Sequence, residues 1–147
     1  MVQAERRANA VWHGGLFDGQ GTVSVDTGVF TETPVSWKDR TESPAGATSP
    51  EELVAAAHAS CYSMAFSLVL AEAGTPPERL EVSAAVGFGD KEGGGAEVKY
   101  SNLTVRGRVP GLDQATFAEL AQLGERSCPI SNLLRGNATI EVEAMLE

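Results

Sequence analysis

The chain is poor in the residues that bind metals and nucleic acids. Its 147 residues include two cysteines, Cys61 and Cys128, and two histidines, His13 and His58. No CxxC pair occurs, and a structural zinc site needs about four ligands, so the sequence predicts no metal centre. Lysine and arginine number 11 against 20 acidic residues, which gives a net charge of −9 at pH 7. Nucleic acids and anionic membranes attract basic surfaces, so neither is an expected partner.

The sequence also has no recognisable export signal. Arg6 and Arg7 are not followed by an apolar segment, so we expect no signal peptide, a cytoplasmic location and cysteines that begin as thiols. The apolar stretch 53–71 has about the length of a membrane span. It is rich in Ala and Ser rather than Leu and Ile, and His58 interrupts it, so we expect a helix buried inside a protein.

Length and composition fit one globular domain covering residues 1–147. Alternating apolar and polar residues in the first part of the chain predict β-structure. This comprises a short strand at 9–15, a strand–turn–strand segment at 21–30 with its turn at 26–28, and a third strand at 33–40. A loop rich in Ser, Pro, Gly and Thr follows at 41–50.

The clearest local signal is the start of a long helix at 49–52. Ser49 is a good cap, Pro50 suits the first helical position, and Glu52 completes a capping box. The helix should run to about residue 73, where Gly74 closes it and two prolines prevent its continuation.

The second half of the chain predicts more strands and two further helices. Alternation indicates strands at 80–89, 98–109 and 138–146, an amphipathic helix at 113–127 and a short helix starting at residue 128. The apolar face of the longer of these helices should carry Phe117, Leu120, Ala121 and Leu123. The order β-β-β-α-β-β-α-α-β indicates an α+β fold.

The residues alone leave the roles of the two cysteines open. Cys61, in the middle of the long helix, is either a small buried hydrophobe or a nucleophile paired with His58, three residues before it. His58 is alternatively a hydrogen-bonded core histidine. Cys128 precedes Pro129 at the start of a short helix, where backbone N–H groups favour a thiolate, or it merely caps that helix.

Two segments together resemble the OsmC/Ohr family of thiol-dependent peroxidases. They are "ATSPEELVAAAHASCYSMAFSLVL" at 47–70 and "SCPISNLL" at 127–134, and the residues around the first cysteine are closer to the osmotically inducible OsmC branch. The resemblance extends over essentially the whole chain. It implies an OsmC-like fold, with antiparallel sheets around a long central helix, assembled as an intertwined homodimer.

The resemblance also implies roles for four residues. Cys61 resembles the peroxidatic cysteine, and Cys128 resembles the resolving cysteine that forms a Cys61–Cys128 disulfide. Arg40 and Glu51 resemble the pair that lowers the thiol pKa and polarises the peroxide, with Lys38 as the nearest substitute for Arg40. His58 receives no catalytic role. Attack of a thiolate on an O–O bond needs no metal or organic cofactor.

The spacing on the long helix adds an expectation about assembly. Ten residues separate Glu51 from Cys61, which is about 15 Å along a straight helix. The two side chains of one chain therefore cannot touch, and Glu51 would serve Cys61 of another subunit. We expect an obligate homodimer with two composite sites, because antiparallel helices related by a twofold axis would bring each helix start near the middle of the other.

The expected substrate is an organic hydroperoxide, with inorganic peroxide reduced less well and a dithiol as the reductant. An apolar lining from Val54, Phe66, Leu133 and Leu134 would favour bulky organic substrates. Two other functions stay open from the sequence. One is a thiol hydrolase or transferase that uses Cys61 with His58 and needs no Cys128. The other is a dimeric protein that binds a small apolar ligand and has structural cysteines.

Overall fold

The structure, a computed structural model, describes residues 1–42 and 46–147. Its described residues form two three-stranded sheets and one long helix with three shorter ones, which confirms the predicted α+β class. The chain divides into two compact units, Met1–Leu53 and Val54–Glu147. The single domain expected from the sequence stays a prediction.

The first unit holds an antiparallel sheet in the order β1-β2-β3. Its strands are β1 (Ala8–His13), β2 (Gln20–Val25) and β3 (Thr33–Val35). The turn predicted at 26–28 is present, with Gly28 at a φ of 73°. The strand expected directly after that turn is displaced to β3, because Glu32 has a φ of 48° and its N–H donates to Ser24 Oγ at 2.8 Å instead of to a strand partner.

The prediction of a strand at 33–40 is wrong beyond residue 35, where β3 ends. Ser36 Oγ accepts a hydrogen bond from the Asp39 N–H at 3.1 Å and begins a short helix, α1 (Trp37–Thr41). A serine followed three residues later by an acidic residue is the same kind of capping pattern as that at residues 49–52, so the sequence contained the signal. This helix carries Arg40 and therefore determines where its guanidinium lies.

The long helix, α2 (Pro50–Glu72), begins and ends where the sequence predicts. The Glu52 N–H donates to Ser49 Oγ at 3.1 Å, and Gly74 adopts a φ of 81° just beyond the last turn. Part of the loop predicted at 41–50, residues 43–45, lies outside the described residues. By length and composition α2 could cross a membrane, but the core helix of a soluble protein passes the same test.

The second unit contains the sheet β4-β5-β6 and two helices. Its elements are β4 (Arg79–Asp90), β5 (Ala96–Arg108), α3 (Gln114–Ser127), α4 (Pro129–Leu134) and β6 (Val142–Leu146). Strands β4 and β5 form an antiparallel hairpin. Strands β5 and β6 are parallel, the exception to the expected antiparallel arrangement, because α3 and α4 return the chain to the end of the sheet from which β5 started.

The core of the second unit lies among α2, α3 and β5. Tyr62, Phe66 and Leu70 of α2 are completely buried, as are Phe117 and Ala121 of α3. The side chain predicted on this face at residue 123 is instead 43% exposed, because the buried stripe of α3 continues from 117 and 121 to 124. A glycine at 124 lets α3 approach α2 closely, since a Cβ there would lie 3.0 Å from the Cβ of Phe66.

We predict that Gly107→Ala destabilises the fold. Gly107 lies on the buried face of β5, and an added Cβ would approach the ring of Phe117 to 2.4 Å, so the core would have to shift. Overpacking of this kind costs about 1–3 kcal/mol. Urea denaturation should show that loss. Gly89→Ala is the matched control, because its Cβ would meet only the flexible side chain of Lys99 at 3.5 Å. Equal midpoints for the two variants would contradict the prediction.

Candidate functional site

The second unit brings the two cysteines together. Cys61 lies on α2 and is partly exposed, whereas Cys128 is completely buried, and both are free thiols. Cys128 is the N-cap of α4, and its Sγ accepts a hydrogen bond from the Ser131 N–H at 3.5 Å. The sequence prediction that Cys128 lies at the start of a short helix is therefore confirmed.

The surroundings of Cys61 within one chain favour its thiol form. Burial raises the pKa of the Cys61 thiol above its ordinary value and is the largest effect. A hydrogen bond with the backbone of Ile130 opposes that rise, while the hydrogen bond with the Cys128 side chain and the charge of Cys128 add to it. A nucleophilic thiolate at Cys61 therefore needs a further cation near the sulfur.

The first unit brings Arg40 and Glu51 together. Arg40 Nε lies 3.2 Å and 3.1 Å from the two carboxylate oxygens of Glu51, and Arg40 Nη2 donates to Oε1 at 2.8 Å. The pair is a bidentate fork, which fixes the plane of the guanidinium. Glu51 is only 8% exposed, so Arg40 takes the place of water around its carboxylate. Arg40, rather than the substitute Lys38, forms the ion pair with Glu51 that the resemblance implies.

Arg40 lines a cleft of about 320 Å³ in the first unit. The residues that line it are Trp12, Leu16, Ser36, Trp37, Arg40 and Pro50. The two tryptophans of the chain therefore both face this cleft, and the centre of the guanidinium lies 5.9 Å from the Trp37 ring. The cleft combines apolar walls with one cation, which suits an organic molecule that carries a polar end.

The apolar lining predicted from the sequence differs from this cleft. Phe66 is completely buried in the core, where its ring lies 5.2 Å from that of Phe117. Leu133 is 71% exposed on α4. Sequence reasoning missed Trp12 and Trp37 because they belong to β1 and α1, which only the folded first unit brings to one cleft.

His58 is a buried, fully bonded histidine. Its Nδ1 lies 2.6 Å from Ser101 Oγ, and its Nε2 lies 2.8 Å from Ser131 Oγ. Both ring nitrogens are therefore occupied by serine hydroxyls. The hydrogen-bonded core histidine weighed in the sequence analysis is confirmed, and a Cys61–His58 catalytic pair has no ring nitrogen to use.

A second buried acid lies near His58. Glu125 of α3 is 7% exposed, and its Oε1 accepts a hydrogen bond from Arg135 Nη2 at 2.7 Å. Sequence reasoning did not single it out. Among the residues that the structure describes, no group of three or more His, Cys, Asp or Glu side chains could hold a metal ion.

The chain matches a family of known proteins over most of its length. The family model described as OsmC-like protein matches residues 42–143. The chain is 38% identical over 138 residues to the peroxiredoxin OsmC of Escherichia coli (strain K12), covering 94% of this chain and 95% of that protein. It is 34% identical over 94 residues, 63% of each chain, to the organic hydroperoxide resistance protein of Xanthomonas axonopodis pv. citri (strain 306).

Solved structures support the same relationship. The crystal structure of an organic hydroperoxide resistance protein from Elizabethkingia anophelis has a TM-score of 0.78 and 27% identity, covering 99% of this chain and all of its own. The OhrB structure of Bacillus subtilis has a TM-score of 0.69 and 26% identity, with 96% of this chain and 98% of that chain covered. The resemblance described from the sequence is confirmed.

We predict that His58 makes the fold less stable in mild acid. Burial lowers the pKa of His58 below its ordinary value of 6.5, and the charge of Glu125 opposes this only in part. The unfolded chain therefore takes up a proton at His58 at a higher pH than the folded chain. The stability linked to His58 is complete above about pH 6.5 and is lost as the pH falls towards the lower pKa of the folded state.

Urea denaturation between pH 7.5 and pH 5 measures this dependence. The free energy of unfolding should fall with pH in the wild type and fall less steeply in His58→Gln. His13→Gln, which replaces an exposed histidine of β1, is the matched control and should follow the wild type. Parallel curves for His58→Gln and the wild type would contradict the prediction.

Proposed function

The chain belongs to the OsmC-like protein family, and we propose that it reduces organic hydroperoxides through Cys61 and Cys128, as one cytoplasmic OsmC-like domain per subunit. The family and the curated relatives support a peroxidase-type enzyme with a hydroperoxide-detoxifying role. The observation that carries the proposed mechanism is the closeness of the two thiols: Cys61 packs against the core cluster that contains Cys128, and Cys128 raises the pKa of the Cys61 thiol. Cys61 is partly exposed and can therefore meet a hydroperoxide. Cys128 is buried and can react with the oxidised Cys61 afterwards.

In the first step, the Cys61 thiolate attacks the outer oxygen of the hydroperoxide. An S–O bond forms, the O–O bond breaks, and the sulfur becomes a sulfenic acid. The alkoxide leaves and takes a proton to become the alcohol. A cation that donates hydrogen bonds to the departing oxygen stabilises the charge that develops there, and a fixed guanidinium such as that of Arg40 suits this role.

In the second step, the Cys128 thiolate attacks the sulfur of the Cys61 sulfenic acid. An S–S bond forms, the S–O bond breaks, and hydroxide leaves and takes a proton to become water. The disulfide prevents further oxidation of Cys61 to sulfinic acid. An external dithiol then reduces the disulfide by thiol–disulfide exchange and returns both thiols.

We place Arg40 and Glu51 in the site of a second copy of the chain. Glu51 and Cys61 both lie on α2, ten residues apart, and a rise of about 15 Å keeps them from meeting in one subunit. Cys61 has a raised pKa within its own chain, so a guanidinium from a partner would supply the cation that a thiolate needs.

The exposed apolar surface of the chain supports such a homodimer. Met64 and Leu68 of α2 are 67% and 58% exposed. In the first unit, only Gly21 and Glu51 are buried among residues 1–42 and 46–53, and every residue of β1 is exposed. A sheet normally buries one face against another layer, and a second copy would provide it.

We predict that one equivalent of cumene hydroperoxide consumes both thiols of the reduced wild-type protein. Cys61→Ser should lose no thiol, because it lacks the nucleophile, and Cys128→Ser should accumulate a sulfenic acid at Cys61. Thiol titration and mass spectrometry measure these outcomes. Survival of both thiols in an excess of organic peroxide would overturn the proposed function and favour a ligand-binding protein with structural cysteines.

We also predict that two inactive variants complement each other. Mixed dimers of Arg40→Met and Cys61→Ser would contain one intact composite site and one dead site. After random exchange of equal amounts, activity should recover to about one quarter of the wild type, because half of the dimers are mixed and each has one site of two. Steady-state peroxide consumption measures the recovery.

The matched control combines both substitutions on one chain and mixes it with wild type. With composite sites, its mixed dimers have no intact site, and about one quarter of wild-type activity remains. If Arg40 served Cys61 of its own chain, the control would keep about one half and the first mixture would stay inactive. That pair of results would contradict the composite site.

A further inference from the structure

The second unit contains a buried polar connection that the proposed chemistry does not use. His58 of α2 joins Ser101, on the central strand β5, to Ser131, in the first turn of α4. All three residues are completely buried. Buried polar groups are costly unless they are bonded, and each ring nitrogen of His58 has one hydroxyl partner. This Ser101–His58–Ser131 chain therefore ties α4 to the middle of the sheet.

The chain of hydrogen bonds ends at the sulfur of Cys128. The backbone N–H of Ser131 donates to Cys128 Sγ at 3.5 Å, while the side chain of the same residue bonds His58. The backbone of the preceding residue, Ile130, lies close enough to Cys61 to lower the pKa of its thiol. The first turn of α4 thus bonds the Cys128 sulfur and lies beside Cys61, so the position of this turn sets the position of Cys128 relative to Cys61.

We propose that His58 is a positioning residue that holds Cys128, through Ser131, for its reaction with Cys61. The inference rests on the proposed function for the reaction itself, but the geometry it describes is present in the reduced protein. His58 and Cys61 lie three residues apart on one rigid helix, so a link from His58 to α4 fixes that turn with respect to Cys61.

The neutral imidazole suits this task. It donates a hydrogen bond through one nitrogen and accepts one through the other, so it can bridge two hydroxyls in either tautomer. Burial lowers the pKa of His58, which keeps the ring neutral at physiological pH. The ion pair of Glu125 with Arg135 keeps the nearby acid bonded to a residue just after α4.

The first experiment separates the two chemical steps in a single turnover. Reduced His58→Gln and Ser131→Ala are mixed with one equivalent of cumene hydroperoxide, and quenched samples are analysed for sulfenic acid and disulfide. The rate at which Cys61 is oxidised, measured as loss of the first thiol, should equal that of the wild type. Disulfide formation should slow by about five- to tenfold, the rate equivalent of one hydrogen bond. With excess peroxide, more Cys61 should proceed to sulfinic acid.

Two control variants separate positioning from general destabilisation. Ser127→Ala lies next to Cys128, but its hydroxyl bonds only the Leu123 carbonyl among the contacts described, so both rates should stay unchanged. Gly107→Ala weakens the core without touching the Ser101–His58–Ser131 chain, so the ratio of the two rates should stay at the wild-type value. If His58→Gln does not fold by near-ultraviolet circular dichroism, Ser131→Ala carries the test.

The second experiment does not depend on peroxide. In a Cys61→Ser background, iodoacetamide labels Cys128 only when α4 opens, because that sulfur is completely buried. Adding His58→Gln should speed labelling by about five- to tenfold, again the equivalent of one hydrogen bond. Equal labelling rates, or an unchanged rate of disulfide formation, would overturn the inference. Failure of the wild type to form a disulfide would instead overturn the proposed function, while labelling still reports on positioning.

Discussion

The continuity of α2 is the constraint on which the proposed site depends. One helix of 23 residues carries Glu51 in its first turn and both His58 and Cys61 near its middle. A helix has a fixed rise, so these residues cannot change their spacing by any movement of side chains alone. Each of the three therefore contacts side chains that lie at its own position along the helix. Glu51 pairs with Arg40 at the start. Further along, His58 bonds Ser101 and Ser131, and Cys61 lies beside Cys128.

The start and the middle of α2 also differ in their electrostatics. At the start of α2, a buried carboxylate holds a guanidinium in one plane, which leaves a cation of defined orientation beside an aromatic cleft. In the middle of α2, burial disfavours the charged form of Cys61. The start of α2 therefore holds a cation, Arg40, and the middle of α2 holds a thiol, Cys61, that needs a cation to become a thiolate. The proposed twofold dimer of antiparallel helices would satisfy both needs without any additional residue.

The sequence predicts the parts of this molecule that depend on local chemistry. The ends of α2 follow from Ser49, Pro50 and Gly74, and the cap at Cys128 follows from the proline after it. Ser36 and Asp39 signal the short helix α1, but the alternating pattern of the preceding strand continues through these residues and predicts a strand there instead. Local patterns fix where an element begins more reliably than which neighbour it meets.

The parts that escaped prediction depend on distant pairs. His58 bonds partners 43 and 73 residues further along the chain, and no local spacing identifies them. The two tryptophans of the cleft come from different elements of the first sheet and its following helix. The parallel direction of β6 likewise depends on the crossover through α3 and α4. The roles of the two cysteines came from resemblance, since the residues alone left them open.

The parallel pairing of β5 with β6 also orders events during folding. The β4–β5 hairpin closes a short turn, whereas β6 can join β5 only after the whole connection 109–141 has been closed, and non-local contacts form later than local ones. Cys128 lies within that connection. In a newly made chain, the two cysteines of the proposed mechanism therefore come together only after this connection has closed. Under the proposed mechanism, a sulfenic acid formed at Cys61 in that interval would have no resolving thiol beside it, so irreversible oxidation would be a hazard of biosynthesis as well as of turnover.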